Sequence, residues 1–241
     1  MDQSDFGGNI FLKGGNNVTF KVEGRDDGMG YLSPENKDST VGLIVLQEWW
    51  GVNKTMALLA DRYAREGGFR AICVDVYRGE IATDMENANH LMSNLNWMGA
   101  LKDIQGAAAY LRSNGCTKVA LTGYCMGGAL VLAAITNCEG FDCAVPFYGV
   151  PDLSQNLVKN IKCPVLAMFG ELDNLVGFAD VETAKRLESA FKEASLSNAS
   201  VKVWPGVGHA FMNVDNKKKF SPETSEKAFA ETVAFLKKHC C

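Results

Sequence analysis

Val119-Ala120-Leu121-Thr122-Gly123 is a short apolar run that ends in glycine, and Tyr124-Cys125 follows it directly. Met126-Gly127-Gly128-Ala129-Leu130-Val131-Leu132-Ala133-Ala134-Ile135 then continues as an apolar run of helical length. This reads as a buried strand, a sharp turn and a buried helix. The turn has the pattern Gly-x-Cys-x-Gly, an elbow that lifts a nucleophile above the end of a sheet, with Cys125 where serine is usual. Small residues on either side relieve crowding, and the start of a helix favours a thiolate over a thiol. The competing reading is a structural cysteine buried in a glycine-rich turn.

Outward from this stretch the same alternation repeats. Val41 to Gln47 reads as a buried strand, followed by a helix with Met56, Leu59, Ala60, Tyr63 and Ala64 on one face and Gly67-Gly68 at its end. Ala71 to Tyr77 is the next strand. After a looser segment comes a helix with the stripe Trp97, Ala100, Leu101, Ile104, Ala108 and Leu111. Beyond the elbow, Cys143 to Tyr148, Pro164 to Gly170 and Val201 to Trp204 read as strands. Ala184, Leu187, Phe191 and Ala194 share one helical face, and Ser221-Pro222-Glu223 opens a last helix. Val18 to Val22 and Met29 to Leu32 suggest a hairpin flanking the main sheet. The fold class expected is α/β, one domain with a mostly parallel sheet covered by helices on both faces. Ligands of such sheets sit beyond the carboxyl ends of the strands.

Three strand ends carry reactive side chains. Besides Cys125 there are three histidines, His90, His209 and His239, and only His209 follows a strand, in Gly206-Val207-Gly208-His209. Asp173, in Gly170-Glu171-Leu172-Asp173, is the candidate that orients His209, with Glu171 its rival. The order nucleophile, acid, histidine is that of the α/β-hydrolase fold. Glu48 ends the first parallel strand, either as a solvated loop carboxylate or as a group able to hold the proton of Cys125.

Composition narrows the class of partner. The chain has 241 residues, 47% hydrophobic and 22% charged, and a formal net charge of −4. It lacks a basic run beyond Lys217-Lys218-Lys219, so neither nucleic acid nor an anionic membrane is an expected partner. Met1 to Asp5 shows no apolar secretory core, which points to a cytoplasmic protein with reduced thiols. The eight cysteines show no CxxC pair and no zinc-like spacing, so no metal and no organic cofactor is expected. Sequons begin at Asn17, Asn53 and Asn198, and Asn53 reads better as a turn or helix cap. Cys240-Cys241 reads as a frayed helix end rather than a double-prenylation signal.

Gln47-Glu48-x-x-Gly51-Val52-Asn53, Gly123-Tyr124-Cys125-Met126-Gly127-Gly128, Gly170-x-x-Asp173 and Gly208-His209-x-Phe211, in this order, resemble the dienelactone hydrolase family. The resemblance runs from about Gly28 to the final helix. It implies a Cys125–His209–Asp173 triad and a Glu48 that accepts the thiol proton when substrate binds. It also implies an oxyanion hole from the backbone N–H groups of Trp49 and Met126, and carboxymethylenebutenolide or related esters as substrates. Arg78, Trp50, Tyr148 and Phe211 are the candidate substrate contacts. The family's bacterial enzymes hold an anionic lactone with two arginines. Arg78 is near the first position, and Asn213 occupies the second. A small-molecule ester or lactone is thus the expected partner, the protein being a monomer or weak homo-oligomer. A general carboxylesterase or thioesterase, a ligand-binding protein on the same scaffold and a redox-sensing thiol protein are the competing readings.

Overall fold

The computed structural model describes residues 16–152 and 157–241. The expectation drawn from Met1 to Asp5 lies outside the described residues. Eight strands form one sheet: β1 (Asn17–Phe20), β2 (Gly28–Leu32), β3 (Val41–Leu46), β4 (Arg70–Asp75), β5 (Lys118–Tyr124), β6 (Cys143–Phe147), β7 (Val165–Gly170) and β8 (Ala199–Trp204). Their order is β1-β2-β4-β3-β5-β6-β7-β8. β1 and β2 pair antiparallel, as does β2 with β4. β3 with β4, β6 with β7 and β7 with β8 are parallel. This is the mostly parallel α/β sheet expected from the alternation. The chain divides into two compact units, Met1–Ala120 and Leu121–Cys241, the boundary falling within β5.

In the first unit β3 is buried at every residue, as a strand covered on both faces must be. Helix α1 (Lys54–Gly67) starts at Asn53, whose Oδ1 accepts the Met56 N–H at 3.1 Å, and stops at Gly68 in the left-handed region. The looser segment contains α2 (Met85–Ser93), capped by Asp84, a polar helix around His90 as its sequence suggests. It is short and buries only Ala88 and Leu91, so it leaves almost no apolar period to detect. Helix α3 (Trp97–Ser113) buries Ala100, Leu101, Ile104, Ala108 and Leu111 of the stripe seen in the sequence, while Trp97, in its first turn, is only half-buried. It also buries Asp103, 1% exposed, between Arg25 and Arg78.

In the second unit helix α4 (Met126–Asn137) is buried from Met126 through Ile135. A helix apolar on all sides has no surface face to give it an amphipathic period. Helix α5 (Val181–Glu193) buries Ala184, Leu187 and Phe191. Helix α6 (Pro222–Cys240) begins with Pro222 in its first turn. Its N-cap, Ser221, makes no side-chain cap bond; the hydroxyl donates to Thr224 Oγ1 instead. β8 is half exposed and carries Lys202, which covers the Trp204 ring and pairs with Glu231, a charged edge that discourages pairing with another chain. The frayed end expected at Cys240 is not found: Cys240 is the last helical residue and is buried, while Cys241 is exposed. Among the described residues no helix is long and apolar enough to cross a membrane.

The Asn53 cap satisfies one of the amide groups that the first turn of α1 would leave unpaired. Asn53→Ala is expected to lower unfolding stability by about 1 kcal/mol, read as a shift of the urea midpoint at constant slope. An unchanged midpoint would show that the cap bond contributes nothing net.

Candidate functional site

The elbow of the second unit is built around an unfavourable backbone. Cys125 has φ 56° and ψ −118°, a conformation that L residues rarely adopt. Its N–H donates to Phe147 O at 3.1 Å, and its carbonyl accepts the Ala129 N–H at 3.1 Å, the first bond of α4. Two glycines make the turn sterically possible. A Cβ on Gly128 would stand 2.2 Å from Phe147 O, and one on Gly149 would stand 2.0 Å from Cys125 O. The sequence reading drew attention to the glycines of the elbow itself. Gly149 was missed, although a glycine placed straight after an apolar strand is the available signal for close backbone approach.

Two loops bring the other groups to the sulfur. After β7, the Leu172 N–H donates to Val207 O at 2.8 Å, which ties the acidic loop to the histidine loop. Asp173 Oδ1 accepts the Leu175 N–H at 3.1 Å, leaving Oδ2 to meet His209 Nδ1 at 2.8 Å. His209 Nε2 lies 3.1 Å from Cys125 Sγ. The Asp173 side chain is fully buried and that of His209 is 9% exposed, so little water competes for these contacts. Glu171, the rival acid, is exposed and accepts the Gly206 N–H at 2.9 Å. His90 is exposed on α2 beside Asn94, and His239 packs against Phe235 near the end of α6.

Aromatic rings hold the imidazole. The Tyr148 ring lies 5.0 Å from His209 at 65°, and Phe178, not noticed in the sequence, lies 6.4 Å away on a tilted plane. Tyr148 and Phe211, expected to touch substrate, are both 0% exposed, with ring centroids 5.4 Å apart. Each ring is enclosed by its neighbours, Phe147 packing against both and Tyr148 against His209, which leaves no ring surface exposed to a substrate. Tyr148 also has a positive φ, 34°, fixed by a 2.7 Å bond from its N–H to Met168 O.

The remaining candidates lie in the first unit. Glu48 is buried, 6% exposed, which removes the solvated-loop reading. Gly51, φ 94°, closes the turn after it by donating to Glu48 O at 3.2 Å. Trp49 and Trp50 are half-buried, their rings in an edge contact at 5.2 Å. Arg78 turns its guanidinium to Asp103 Oδ1 at 2.5 Å and to the carbonyls of Asp26 and Asp27. It also pulls down the neighbouring Asp75 carboxyl, which burial nevertheless pushes up to about 6. Among the described residues no group of three or more His, Cys, Asp or Glu side chains is arranged to hold a metal ion.

An eight-stranded, mostly parallel sheet with a cysteine elbow facing a histidine defines an enzyme of the α/β-hydrolase class, a carboxylic ester hydrolase. Residues 29–240 match the dienelactone hydrolase family, and the chain belongs to that family. It is 33% identical over 209 residues to the protein usf of Aquifex pyrophilus, covering 82% of this chain and 88% of that one. It is 27% identical over 242 residues to carboxymethylenebutenolidase 1 of Cupriavidus pinatubonensis, covering 93% and 97%. In structure it is similar to a dienelactone hydrolase-like promiscuous phosphotriesterase from metagenomic libraries, with a TM-score of 0.78 and 18% identity over 92% of this chain and 98% of the other. An esterase of Pyrococcus furiosus superposes with a TM-score of 0.67 and 14% identity over 93% and 92%. At such identities these two likenesses establish the fold.

The ring contact makes a prediction about Tyr148. An aromatic pair of this geometry is worth about 0.5–1.5 kcal/mol beyond its buried area, so freeing the imidazole should slow iodoacetamide alkylation of Cys125 roughly two- to twelvefold. Tyr148→Leu is expected to show that loss and a changed pH profile of alkylation, whereas Tyr148→Phe keeps both near wild type. A Leu variant with the wild-type profile would show that the ring does not hold His209.

Proposed function

We propose that this chain hydrolyses esters or lactones with Cys125 as nucleophile, His209 as the proton shuttle and Asp173 as the group that orients His209. One observation carries the reading: the unbroken line from Cys125 Sγ to His209 Nε2, 3.1 Å, and from His209 Nδ1 to Asp173 Oδ2, 2.8 Å. With Nδ1–H donating to the carboxylate, Nε2 is the nitrogen that takes the thiol proton. The thiolate adds to the substrate carbonyl, and the tetrahedral intermediate expels an alcohol that leaves with the proton from His209. A water deprotonated by His209 then cleaves the thioester, releasing the acid and restoring the Cys125 thiol.

Further roles follow from the family resemblance. Glu48 is the alternative acceptor of the thiol proton, in place of His209 in that first step, and its burial suits a carboxylate kept from bulk water. The oxyanion is held by the N–H groups of Trp49 and Met126. The Cys125 N–H is already committed to Phe147 O, which favours the amide of the next residue for this task. Trp50 remains a candidate substrate contact.

The substrates that suit the site are neutral, activated esters. A thiolate of pKa about 8.5 or lower is a better leaving group than an alkoxide, so esters of ordinary alcohols tend to revert and enol or phenol esters go forward. The two-arginine clamp for an anion is also weakened. Arg78 is engaged with Asp103 and two carbonyls, and Asn213 stands at the second arginine's position. These commitments favour the general esterase or thioesterase reading over strict dienelactone specificity.

The test is hydrolysis of p-nitrophenyl acetate by the whole chain and its variants. Cys125→Ala and His209→Ala should each lower kcat by roughly three orders of magnitude or more, while His90→Ala and His239→Ala remain near wild type. Wild-type turnover by either Cys125→Ala or His209→Ala overturns the proposal. For specificity, Asn213→Arg is expected to raise the kcat/KM ratio of dienelactone to the neutral ester about tenfold, ~1.4 kcal/mol. A wild type that strongly prefers dienelactone, with a ratio unmoved by this change, would mean that other residues hold the anion.

A further inference from the structure

The last residue of α6 and the first residue of β6 meet inside the second unit. Cys240 Sγ and Cys143 Sγ lie 3.0 Å apart, 97 residues distant in sequence. Neither sulfur is in a disulfide and both residues are buried, Cys143 at 0% and Cys240 at 6% exposure. A disulfide has an S–S length of about 2.05 Å, so closing the bond needs a shift of only about 1 Å. We propose that Cys143 and Cys240 form a reversible oxidation site, in which a low-molecular-weight disulfide joins the end of α6 covalently to β6.

Position decides which thiol reacts first. Cys143 begins a strand in the middle of the unit, and the hydrogen-bonding contact with Cys240, then burial, pushes its thiol far up, keeping it protonated. Cys240 is the more exposed of the two and lies in the last turn of α6, and a helix end opens locally at lower cost than a strand inside a sheet. When that turn opens, the Cys240 thiolate attacks one sulfur of the small disulfide, forming a mixed disulfide and releasing the first small thiolate. When the turn closes, the Cys143 sulfur returns to within about 3 Å of the Cys240 sulfur and displaces the second small thiolate, and its own proton passes to a released thiolate. The small disulfide gains two electrons and becomes two small thiols. The protein gives up two thiol protons and gains one S–S bond. A reducing dithiol reverses the change.

The product would close a loop from the start of β6 to the end of α6, constraining the unfolded chain far more than the folded one. It would also anchor the strand that leads to Phe147 and Tyr148, the residues that contact the Cys125 backbone and His209. The proposal does not depend on the hydrolase reading and is tested without an activity assay.

The experiment incubates the full chain carrying Cys125→Ser, which removes the thiol of the elbow, with glutathione disulfide at neutral pH. Remaining thiols are then alkylated in denaturant, and the unreduced digest is analysed by mass spectrometry alongside the thermal midpoint. The expected result is a peptide pair linked through Cys143 and Cys240 and a midpoint raised by roughly 5 °C or more, both reversed by dithiothreitol. Adding Cys240→Ser or Cys143→Ala should abolish the link and the rise, and Cys241→Ser should leave both in place. Two reduced, alkylated thiols after treatment overturn the proposal. So does a glutathione adduct that remains on Cys240 with Cys143 free, or a link made through Cys241 or Cys163 instead.

Discussion

The hydrogen bond from the Cys125 N–H to Phe147 O is the contact on which the second unit's site depends. It holds a cysteine at a positive φ that would otherwise relax, at a cost on the order of 1–3 kcal/mol. The bond is possible only because Gly128 and Gly149 let the elbow and the end of β6 approach to distances a Cβ would forbid. Once the elbow is fixed, the sulfur stands beyond the sheet end, and the segment after β6 is committed to lie beside it. Tyr148 then has one place for its ring, against the imidazole of His209.

A second constraint acts through the loops. The acidic loop and the histidine loop share the bond from Leu172 to Val207, so Asp173 and His209 are placed together rather than independently. Both oxygens of Asp173 are engaged, one by the Leu175 amide and one by His209, which restricts rotation of the carboxylate. In the first unit the logic is different. Asp103, buried under Arg25 and Arg78, pairs with both guanidinium groups and holds them in place.

Strands, most helices and the elbow were legible in the sequence because each rests on local signals: continuous apolar runs, helical stripes, and the glycines around Cys125. Helix α2 was legible only as a polar helical segment around His90, without bounds, since two buried residues give no period. Cys125, His209 and Asp173 could be selected by their positions after apolar strands, but Glu171 and Asp173 are two residues apart and share that signal. Only the folded loops separate them, by giving Glu171 the Gly206 amide and Asp173 the imidazole. Tyr148 and Phe211 also occupied plausible positions near the sheet ends, and their full burial depends on neighbours from several strands and loops.

The sequence by itself determined the α/β alternation, the family and the short set of reactive side chains, because these are written in period, spacing and residue type. Tertiary structure alone decided which carboxylate meets His209, that Arg78 is engaged by Asp103, and that Cys240 is buried beside a cysteine 97 residues away. The physical reason is that a side chain's partners across the fold are fixed by the packing of whole elements, which no local pattern encodes.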